Sequence, residues 1–242
     1  MIAEKTILLT FYLFLLYLPL HLSIFYLIFS FYLSIFIFVL ICVDTAPAIV
    51  SDAVRSELLR RSGGVFLDLD IITLRPLPSR ANWLGRLDHN QINTAVANFT
   101  KNHRLLQMVV DAIPKAYDPR QCCSIGPELV TSFLHQLCPD NITVPDLTGP
   151  ETMESCDDIT IYNTHAFYPL SYVKEDILRM FETRKGLGPK FFASTQAYTL
   201  HLYHSLTKSG RLIINSDSIL EEAARRNCPQ VYKTIVRNDL LL

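Results

Sequence analysis

Two aspartates set one residue apart, Asp68 and Asp70, are the residues of this chain best suited to chemistry. They follow a short apolar run that begins with Gly63 and Gly64. In an extended chain, side chains at positions i and i+2 point to the same side, so both carboxylates are expected to share one small volume at the end of a buried strand. Two like charges held that close need a cation or several hydrogen-bond donors beside them.

This carboxylate pair has two interpretations. In the first, it binds a divalent metal ion that carries a nucleotide diphosphate, as in a metal-dependent glycosyltransferase that uses a nucleotide sugar. In the second, the carboxylates only cap the turn that follows the strand. An Asp-x-Asp triplet is common, so the pattern alone favours neither.

The elements beside the pair follow from local patterns. A helix capped by Ser51 or Asp52 is expected to end at the two glycines, one of them in a left-handed conformation. Basic residues are expected on its outer face: Arg55, Arg60 and Arg61. Residues 65–67 then form a strand, and residues 71–74 continue extended.

The remainder of the chain predicts strands that alternate with helices. Strands are expected at 92–99 and 197–203, helices at 102–116, 127–138, 172–181 and 216–226, and loops at 139–160 and 183–190. This alternation indicates an α/β domain. The net charge is −1 and no run of Lys or Arg occurs, so nucleic acid is not an expected partner.

Residues 7–42 form an almost wholly apolar stretch before this domain. It is too long for one upright transmembrane helix, which needs ~20 residues, and barely long enough for two. Residues 22–42 make the best single span, and a hairpin that breaks near residues 19–23 is the alternative. We predict a transmembrane signal anchor at residues 1–45, with its N-terminus in the cytosol, followed by a lumenal domain at residues 46–242.

Two features are typical of an oxidising lumen. Asn98 and Asn141 begin Asn-x-Thr glycosylation sequons. Five cysteines follow the apolar stretch without zinc-type spacing: Cys122, Cys123, Cys138, Cys156 and Cys228. They predict two disulfide bonds and one free thiol, with reduced buried cysteines as the alternative.

Several motifs occur together in a fixed order. They are Ser51-Asp52-x-x-Arg55, Gly63–Asp70, residues 93–99, Gly126-Pro127, Ala166-Phe167-Tyr168-Pro169, Ala197-Tyr198-x-x-His201 and Cys228-Pro229. This set spans residues 51–232 and resembles the α-1,4-glycosyltransferase family with its DXD sugar-binding region.

The resemblance implies a single-pass type II Golgi membrane protein with a GT-A-like fold. Such enzymes use Mn²⁺ and a UDP-sugar donor, here UDP-galactose, UDP-N-acetylglucosamine or UDP-N-acetylgalactosamine. They transfer the sugar to a glycolipid or glycoprotein acceptor in α-1,4 linkage and retain its anomeric configuration. By similarity, Asp70 is the direct metal ligand, Asp68 holds the ribose or sugar and reaches the metal through water, and His201 reaches the metal or the β-phosphate. A core histidine bonded to backbone is the alternative for His201.

The resemblance also places residues beside the donor. Asp52 is expected to bond the sugar, Arg55 to pair with a carboxylate or phosphate, and Gly126 and Pro127 to shape the loop around the acceptor. The alternatives are a helix cap with a surface ion pair for the first two residues and a simple helix start for the last two. The resemblance identifies no catalytic nucleophile.

One departure concerns the N-terminal side of the domain. Family members carry a long segment between the anchor and the Ser-Asp-x-x-Arg motif, whereas about eight residues lie there in this chain. We therefore expect a GT-A-like domain that lacks its N-terminal nucleotide-binding portion. A catalytically inactive, membrane-anchored fragment or pseudoenzyme of the family is the alternative to an active transferase.

Overall fold

A computed structural model describes residues 47–121, 123–138 and 153–237 of the 242-residue chain. These residues belong to one compact unit, Ala46–Leu242. The predicted anchor, the sequon at Asn141 and Cys122 lie outside the described residues. Among the helices of the described part, none combines the length and the apolar character that a membrane span requires.

Strands and helices are interspersed along this unit. The strands are β1 (Gly64–Leu67), β2 (Ile71–Thr73), β3 (Trp83–Arg86), β4 (Ile92–Phe99), β5 (Met153–Cys156), β6 (Ile159–Tyr162) and β7 (Thr199–His201). The helices are α1 (Pro47–Ser62), α2 (Arg104–Ala116), α3 (Pro127–Leu137), α4 (Thr164–Phe167), α5 (Lys174–Phe181), α6 (Leu187–Ser194), α7 (His204–Thr207), α8 (Ile219–Asn227) and α9 (Pro229–Arg237).

Two sheets organise the described chain into a mixed α/β fold. The larger sheet has the strand order β1-β4-β3-β6-β5 and contains a parallel pair, β3 with β6. The smaller sheet pairs β2 with β7 in antiparallel register. β1 and β2 are separated by three residues, so the chain passes from one sheet to the other at the two aspartates.

The expectation of a buried strand before the aspartates is wrong. β1 is an edge strand that pairs with β4, and its first two residues are exposed while the next two are half-buried. Its neighbour β4 is almost entirely buried. The apolar residues of β1 therefore indicate one packed face on an edge strand rather than a central position in the sheet.

Aromatic packing holds the two sheets together beneath this junction. The ring of Trp83 on β3 stacks on Phe167 at a centroid distance of 5.0 Å, and Tyr162 meets Phe167 edge-on. Trp83 and Phe167 are fully buried. Leu67 and Ile71, on either side of the aspartates, pack against this cluster and fix both ends of the connecting turn.

The helix before β1 ends where it was predicted and begins earlier. Gly63 and Gly64 adopt positive φ angles of 66° and 98°. A Cβ atom on Gly63 would lie 2.6 Å from the backbone nitrogen of Lys101, so the position requires glycine. The predicted cap at Ser51 or Asp52 is wrong, because α1 already begins at Pro47 and both residues lie inside it.

The prediction of an arginine-covered outer face on α1 is also wrong. Arg55 and Arg60 are buried, and each guanidinium contacts a carboxylate. Helical periodicity assigns charged residues to solvent, but a guanidinium can be buried when a carboxylate pairs with it.

The strands at 92–99 and near the aspartates and the helix that begins at Pro127 are confirmed. His103 rather than residue 102 caps α2, through its ring nitrogen to the Leu105 amide. Two predicted loops are partly wrong, because residues 153–162 form the β5–β6 hairpin and α6 occupies residues 187–194.

A disulfide bond joins Cys138 at the end of α3 to Cys156 in β5. It confirms that disulfides form part of this fold. The second expected disulfide remains a prediction, since Cys122 lies outside the described residues. Asn98, the other glycosylation candidate, is half-buried in β4, where its amide donates to the Arg80 carbonyl.

Candidate functional site

The turn between β1 and β2 presents the two aspartates. The Asp68 amide donates to the Ala95 carbonyl at 2.8 Å, which continues the pairing of β1 with β4. The Ile71 amide then donates to the Asp68 carbonyl at 3.1 Å and closes the turn. Leu69, between the aspartates, is 96% exposed. The turn therefore directs both carboxylates to the protein and the leucine to solvent.

Strand pairing brings a histidine to the carboxylates. In the small sheet, Ile71 lies opposite His201, so the imidazole stands beside Asp70. One ligand atom from each of Asp68, Asp70 and His201 lies within 4.8 Å of the others. The structure thus brings together the three residues that the resemblance singled out as metal ligands.

Asp70 accepts two hydrogen bonds on its carboxylate. The backbone N–H of His204 donates to Oδ2 at 2.8 Å, and Nε2 of His201 lies 3.3 Å from the same oxygen. Burial alone raises the pKa of Asp70, but the hydrogen bonds from His201 and His204 outweigh burial and lower that pKa to about 2. Asp70 is therefore ionised at every physiological pH.

Asp68 pairs with a buried arginine. Nη2 of Arg55 lies 2.7 Å from Oδ1 of Asp68, and Nη1 lies 3.2 Å from Oδ1 of Asp52. Nη1 also donates to the Thr94 hydroxyl at 2.6 Å. Arg55 thus ties α1, the turn and β4 together, and its predicted pairing with a carboxylate is observed.

Burial shifts the pKa of both carboxylates that pair with Arg55, Asp52 and Asp68. It raises the pKa of Asp52 to about 7, although the Arg55 charge opposes it. It also raises the pKa of Asp68, again against the Arg55 charge. The pKa values of the two carboxylates in the turn are therefore shifted in opposite directions. Burial prevails at Asp68, whereas the hydrogen bonds to Asp70 outweigh the effect of burial there.

Gly126 lies directly on the Asp52 carboxylate. A Cβ atom at Gly126 would be 2.3 Å from Oδ2 of Asp52, so only glycine permits this approach. Pro127, half-buried, begins α3 immediately afterwards. The structure therefore places Gly126 next to Asp52, which in turn pairs with Arg55.

Two alternatives from the sequence do not fit this geometry. Asp52 is no helix cap, and its pair with Arg55 is buried rather than on the surface. His201 is not bonded to backbone: its Nε2 faces Asp70, and its Nδ1 has no hydrogen-bond partner in the described part of the chain.

The donor set suits a divalent transition metal. Carboxylate oxygens are ligands that suit Mg²⁺ and Mn²⁺, and an imidazole is a common ligand of transition-metal ions. The side chains of Asp68 and Asp70 are each about one quarter exposed, at 24% and 23%, so an ion can reach them. The residues present therefore fit Mn²⁺.

Sequence reasoning gave no role in the site to two residues of this region. Thr94 holds Arg55, and Tyr203 packs its ring on His201 at a centroid distance of 4.1 Å. The polar side chains within the predicted strand 92–99 were the available signal for Thr94. Tyr203 lies two residues from His201, the spacing that places side chains on one face of a strand.

Comparison with known proteins supports the resemblance. A family model described as the alpha 1,4-glycosyltransferase conserved region matches residues 98–235. The chain belongs to the α-1,4-glycosyltransferase family. The matched region contains Gly126, Pro127 and His201, whereas the paired aspartates precede it.

Individual relatives extend the match. Human alpha-1,4-N-acetylglucosaminyltransferase is 29% identical over 192 residues, which cover 78% of this chain and 52% of the relative. Gorilla lactosylceramide 4-alpha-galactosyltransferase is 24% identical over 188 residues, with 77% and 54% covered. An uncharacterized protein of Arabidopsis thaliana is 24% identical over 192 residues, with 75% and 28% covered. The chain thus spans about half the length of the first two relatives, and no solved structure matches it.

Proposed function

We propose that this chain transfers a hexose or N-acetylhexosamine from a UDP-sugar to a glycolipid or glycan acceptor, in α-1,4 linkage with retention. The observation that carries the proposal is the convergence of Asp68, Asp70 and His201 within 4.8 Å. Family membership supports a glycosyltransferase, and the names of its relatives supply the candidate sugars and acceptors.

In this proposal, Asp70, Asp68 and His201 hold Mn²⁺. The ion supplies Lewis-acid stabilisation of the negative charge that develops on the departing diphosphate. Asp70 is ready for this role because its low pKa keeps it ionised. Asp68 is held in place by Arg55, so its carboxylate does not need to reorient when a ligand arrives.

The donor sugar is proposed to lie beside Asp52, Arg55, Gly126 and Pro127. Asp52 and Arg55 form a buried, hydrogen-bonded floor next to the metal ligands. A rigid floor fixes the orientation of the sugar relative to the leaving group, and such positioning lowers the barrier to transfer. The absence of a Cβ atom on Gly126 keeps that floor compact.

We further propose a location in the Golgi membrane, with the domain on the lumenal side and glycans on Asn98 and Asn141. The Cys138–Cys156 disulfide supports this location, because such bonds persist in oxidising compartments. Glycosylation of either sequon in expressing cells, detected as a mass shift after glycosidase treatment, tests it.

The deciding experiment measures Mn²⁺-dependent hydrolysis and transfer with each of the three candidate UDP-sugars. Asp70→Asn is expected to lower the rate by about 100-fold or more, in line with the loss of a group that stabilises developing charge. Asp111→Asn, an exposed carboxylate on α2, is the matched control and should retain the wild-type rate.

The competing proposal is an inactive member of the family. Its support is that β1, which leads directly into the site, has one unpaired edge, and an unpaired strand edge can pair with another chain. Calorimetry separates the two proposals: a folded protein that binds no UDP in the presence of Mn²⁺ supports the inactive alternative. Equal hydrolysis rates for wild type and Asp70→Asn would show that the Asp70 carboxylate is not needed as a metal ligand.

A further inference from the structure

Tyr203, two residues after His201, has an unusual backbone. Its φ and ψ are 49° and 55°, the left-handed conformation that a bulky side chain rarely adopts. Such strain persists only where the surrounding structure enforces it, and it concentrates near functional sites. The strained backbone of Tyr203 lies beside the candidate site, which indicates a role in that site.

The left-handed turn at Tyr203 brings the backbone amide of His204 to the Asp70 carboxylate. The Leu202 amide donates to the Asp70 carbonyl at 2.9 Å, which extends the antiparallel pairing of Ile71 with His201. If the chain continued extended, that register would carry residue 204 past Asp70 to the level of residue 68. The turn instead leaves the His204 amide 2.8 Å from Oδ2 of Asp70.

The ring of Tyr203 also fixes the imidazole. Its centroid lies 4.1 Å from that of His201, and Tyr168 lies 5.8 Å from the same imidazole. A metal-binding histidine usually donates its second nitrogen to an outer partner that sets the ring orientation. Nδ1 of His201 has no such partner among the residues that the structure describes, so aromatic packing performs this task.

Burial of its side chain and hydrogen bonds of its hydroxyl and its backbone carbonyl fix Tyr203 in place. Its side chain is buried, and its hydroxyl donates to the Leu170 carbonyl at 3.2 Å. Its own carbonyl accepts the amides of Leu206 and Thr207 at 2.8 and 3.1 Å. These contacts oppose relaxation of the strained backbone, so the residue acts as a fixed support.

We propose that Tyr203 is a positioning residue for the divalent metal: its backbone turn orients Asp70 and its ring orients His201. This inference rests on the metal site of the proposed function. It adds a residue that would never touch the ion and that acts on two of the three ligands through separate parts of its structure.

The test is the affinity for Mn²⁺ alone, measured by calorimetry and by electron paramagnetic resonance of the free ion. Tyr203→Phe keeps the ring and is expected to stay within about threefold of wild type. Tyr203→Met and Tyr203→Gly remove the ring and are expected to lose about 10- to 100-fold, the usual cost of losing an outer partner of a metal ligand.

A matched control separates positioning from general loss of stability. Phe191→Leu removes a buried aromatic ring from α6, in a different hydrophobic cluster from that of Trp83 and Phe167. It should lower the thermal midpoint yet leave Mn²⁺ affinity unchanged. If it weakens Mn²⁺ binding as much as Tyr203→Met does at a similar midpoint, the positioning role is overturned.

The remaining outcomes are equally decisive. Wild-type affinity in folded Tyr203→Met or Tyr203→Gly contradicts the inference while leaving the metal site intact. A wild-type protein that binds no Mn²⁺ contradicts the proposed function itself, and the inference falls with it. Should Tyr203→Gly not fold, Tyr203→Met decides, because methionine fills much of the same volume.

Discussion

Arg55 joins four polar groups at the candidate site. Its guanidinium contacts the carboxylates of Asp52 and Asp68 and the hydroxyls of Thr94 and Ser51. Two carboxylates and one guanidinium leave a net negative charge in a largely buried place. Burial then opposes ionisation of both acids, and a bound cation would relieve the remaining charge.

Replacement of Arg55 tests this arrangement. Arg55→Ala should lower the free energy of unfolding by about 3 kcal/mol or more, because it leaves buried carboxylates without their cation. Arg55→Lys should recover only part of that loss, since an ammonium cannot span four partners as a planar guanidinium does. Urea denaturation at neutral pH measures both differences.

The control for this prediction is an exposed pair. Arg120 bonds Asp118, but its side chain is 86% exposed. Arg120→Ala should therefore lower the free energy of unfolding far less than Arg55→Ala does. Equal losses for Arg55→Ala and Arg120→Ala would show that Arg55 contributes no more than a surface ion pair does.

At the scale of elements, short segments are held by polar contacts at their ends. Ser218 caps α8 by accepting the Glu221 amide. The Glu221 carboxylate in turn accepts the amides of Asn215 and Asp217 and the hydroxyl of Tyr232. Through these bonds one glutamate fixes the loop before α8 and connects it to α9.

Glu221 predicts a pH dependence of stability. Burial alone raises its pKa, but the hydrogen bonds from Tyr232 and the loop amides prevail and lower that pKa below 4.5. A lowered pKa means that the stabilisation is complete above the unfolded value and is lost as pH falls through the folded one. Glu221→Gln should cost about 2 kcal/mol at pH 7, in line with lost hydrogen bonds to a charged group, and less as pH drops below 4.5.

Urea midpoints of wild type and variant between pH 7 and pH 3.5 test this prediction. Glu175→Gln, exposed on α5, is the control and should change little at any pH. A difference between wild type and Glu221→Gln that grows on acidification would contradict the assigned direction.

The disulfide stabilises another element boundary. Cys138 and Cys156 are separated by 18 residues and join α3 to the outermost strand of the large sheet. Closing a loop of this length restricts the unfolded chain and is worth about 3 kcal/mol. The double substitution Cys138→Ala with Cys156→Ala should lose that amount, as should reduction of the wild type.

Chemical denaturation with and without reductant measures this loss. Cys228→Ala removes a free, half-buried thiol and should have a much smaller effect. If the reduced wild type were as stable as the oxidised protein, the bond would contribute nothing to the fold.

At the scale of the whole molecule, local features were predictable and distant pairings were not. The glycines that end α1, the strand 92–99 and the adjacency of Asp68 and Asp70 depend on neighbouring residues. The approach of His201 depends on pairing between β2 and β7, far apart in sequence, and only the family resemblance indicated it. Helical periodicity also predicted wrongly that Arg55 is exposed. Its burial depends on pairing with the carboxylates of Asp52 and Asp68, which a periodic pattern does not reveal.

The β5–β6 hairpin was missed for a related physical reason. Its strands have four residues each, and the first is mostly polar. Such a segment resembles a loop until its partner is known. β6 is buried because it lies parallel to β3, a contact between residues more than 70 positions apart.

The proposed metal site draws its ligands from both sheets, so metal binding should stabilise the unit as a whole. Asp68 follows a strand of the large sheet, whereas His201 lies in the small one. A ligand that binds only the folded state adds about 2.7 kcal/mol at 100 times its dissociation constant. For a domain of this size, that corresponds to a rise of roughly 5–10 °C in the thermal midpoint.

Differential scanning fluorimetry with increasing Mn²⁺ measures this rise, and it needs neither donor nor acceptor. Asp70→Asn should remove the rise because it deletes one anionic ligand, and excess chelator should reverse it in the wild type. Asp111→Asn should leave the rise unchanged, which excludes nonspecific binding to surface carboxylates. A midpoint that is the same with and without saturating Mn²⁺ would mean that the three side chains hold no ion, and the transfer chemistry would then need another source of charge stabilisation.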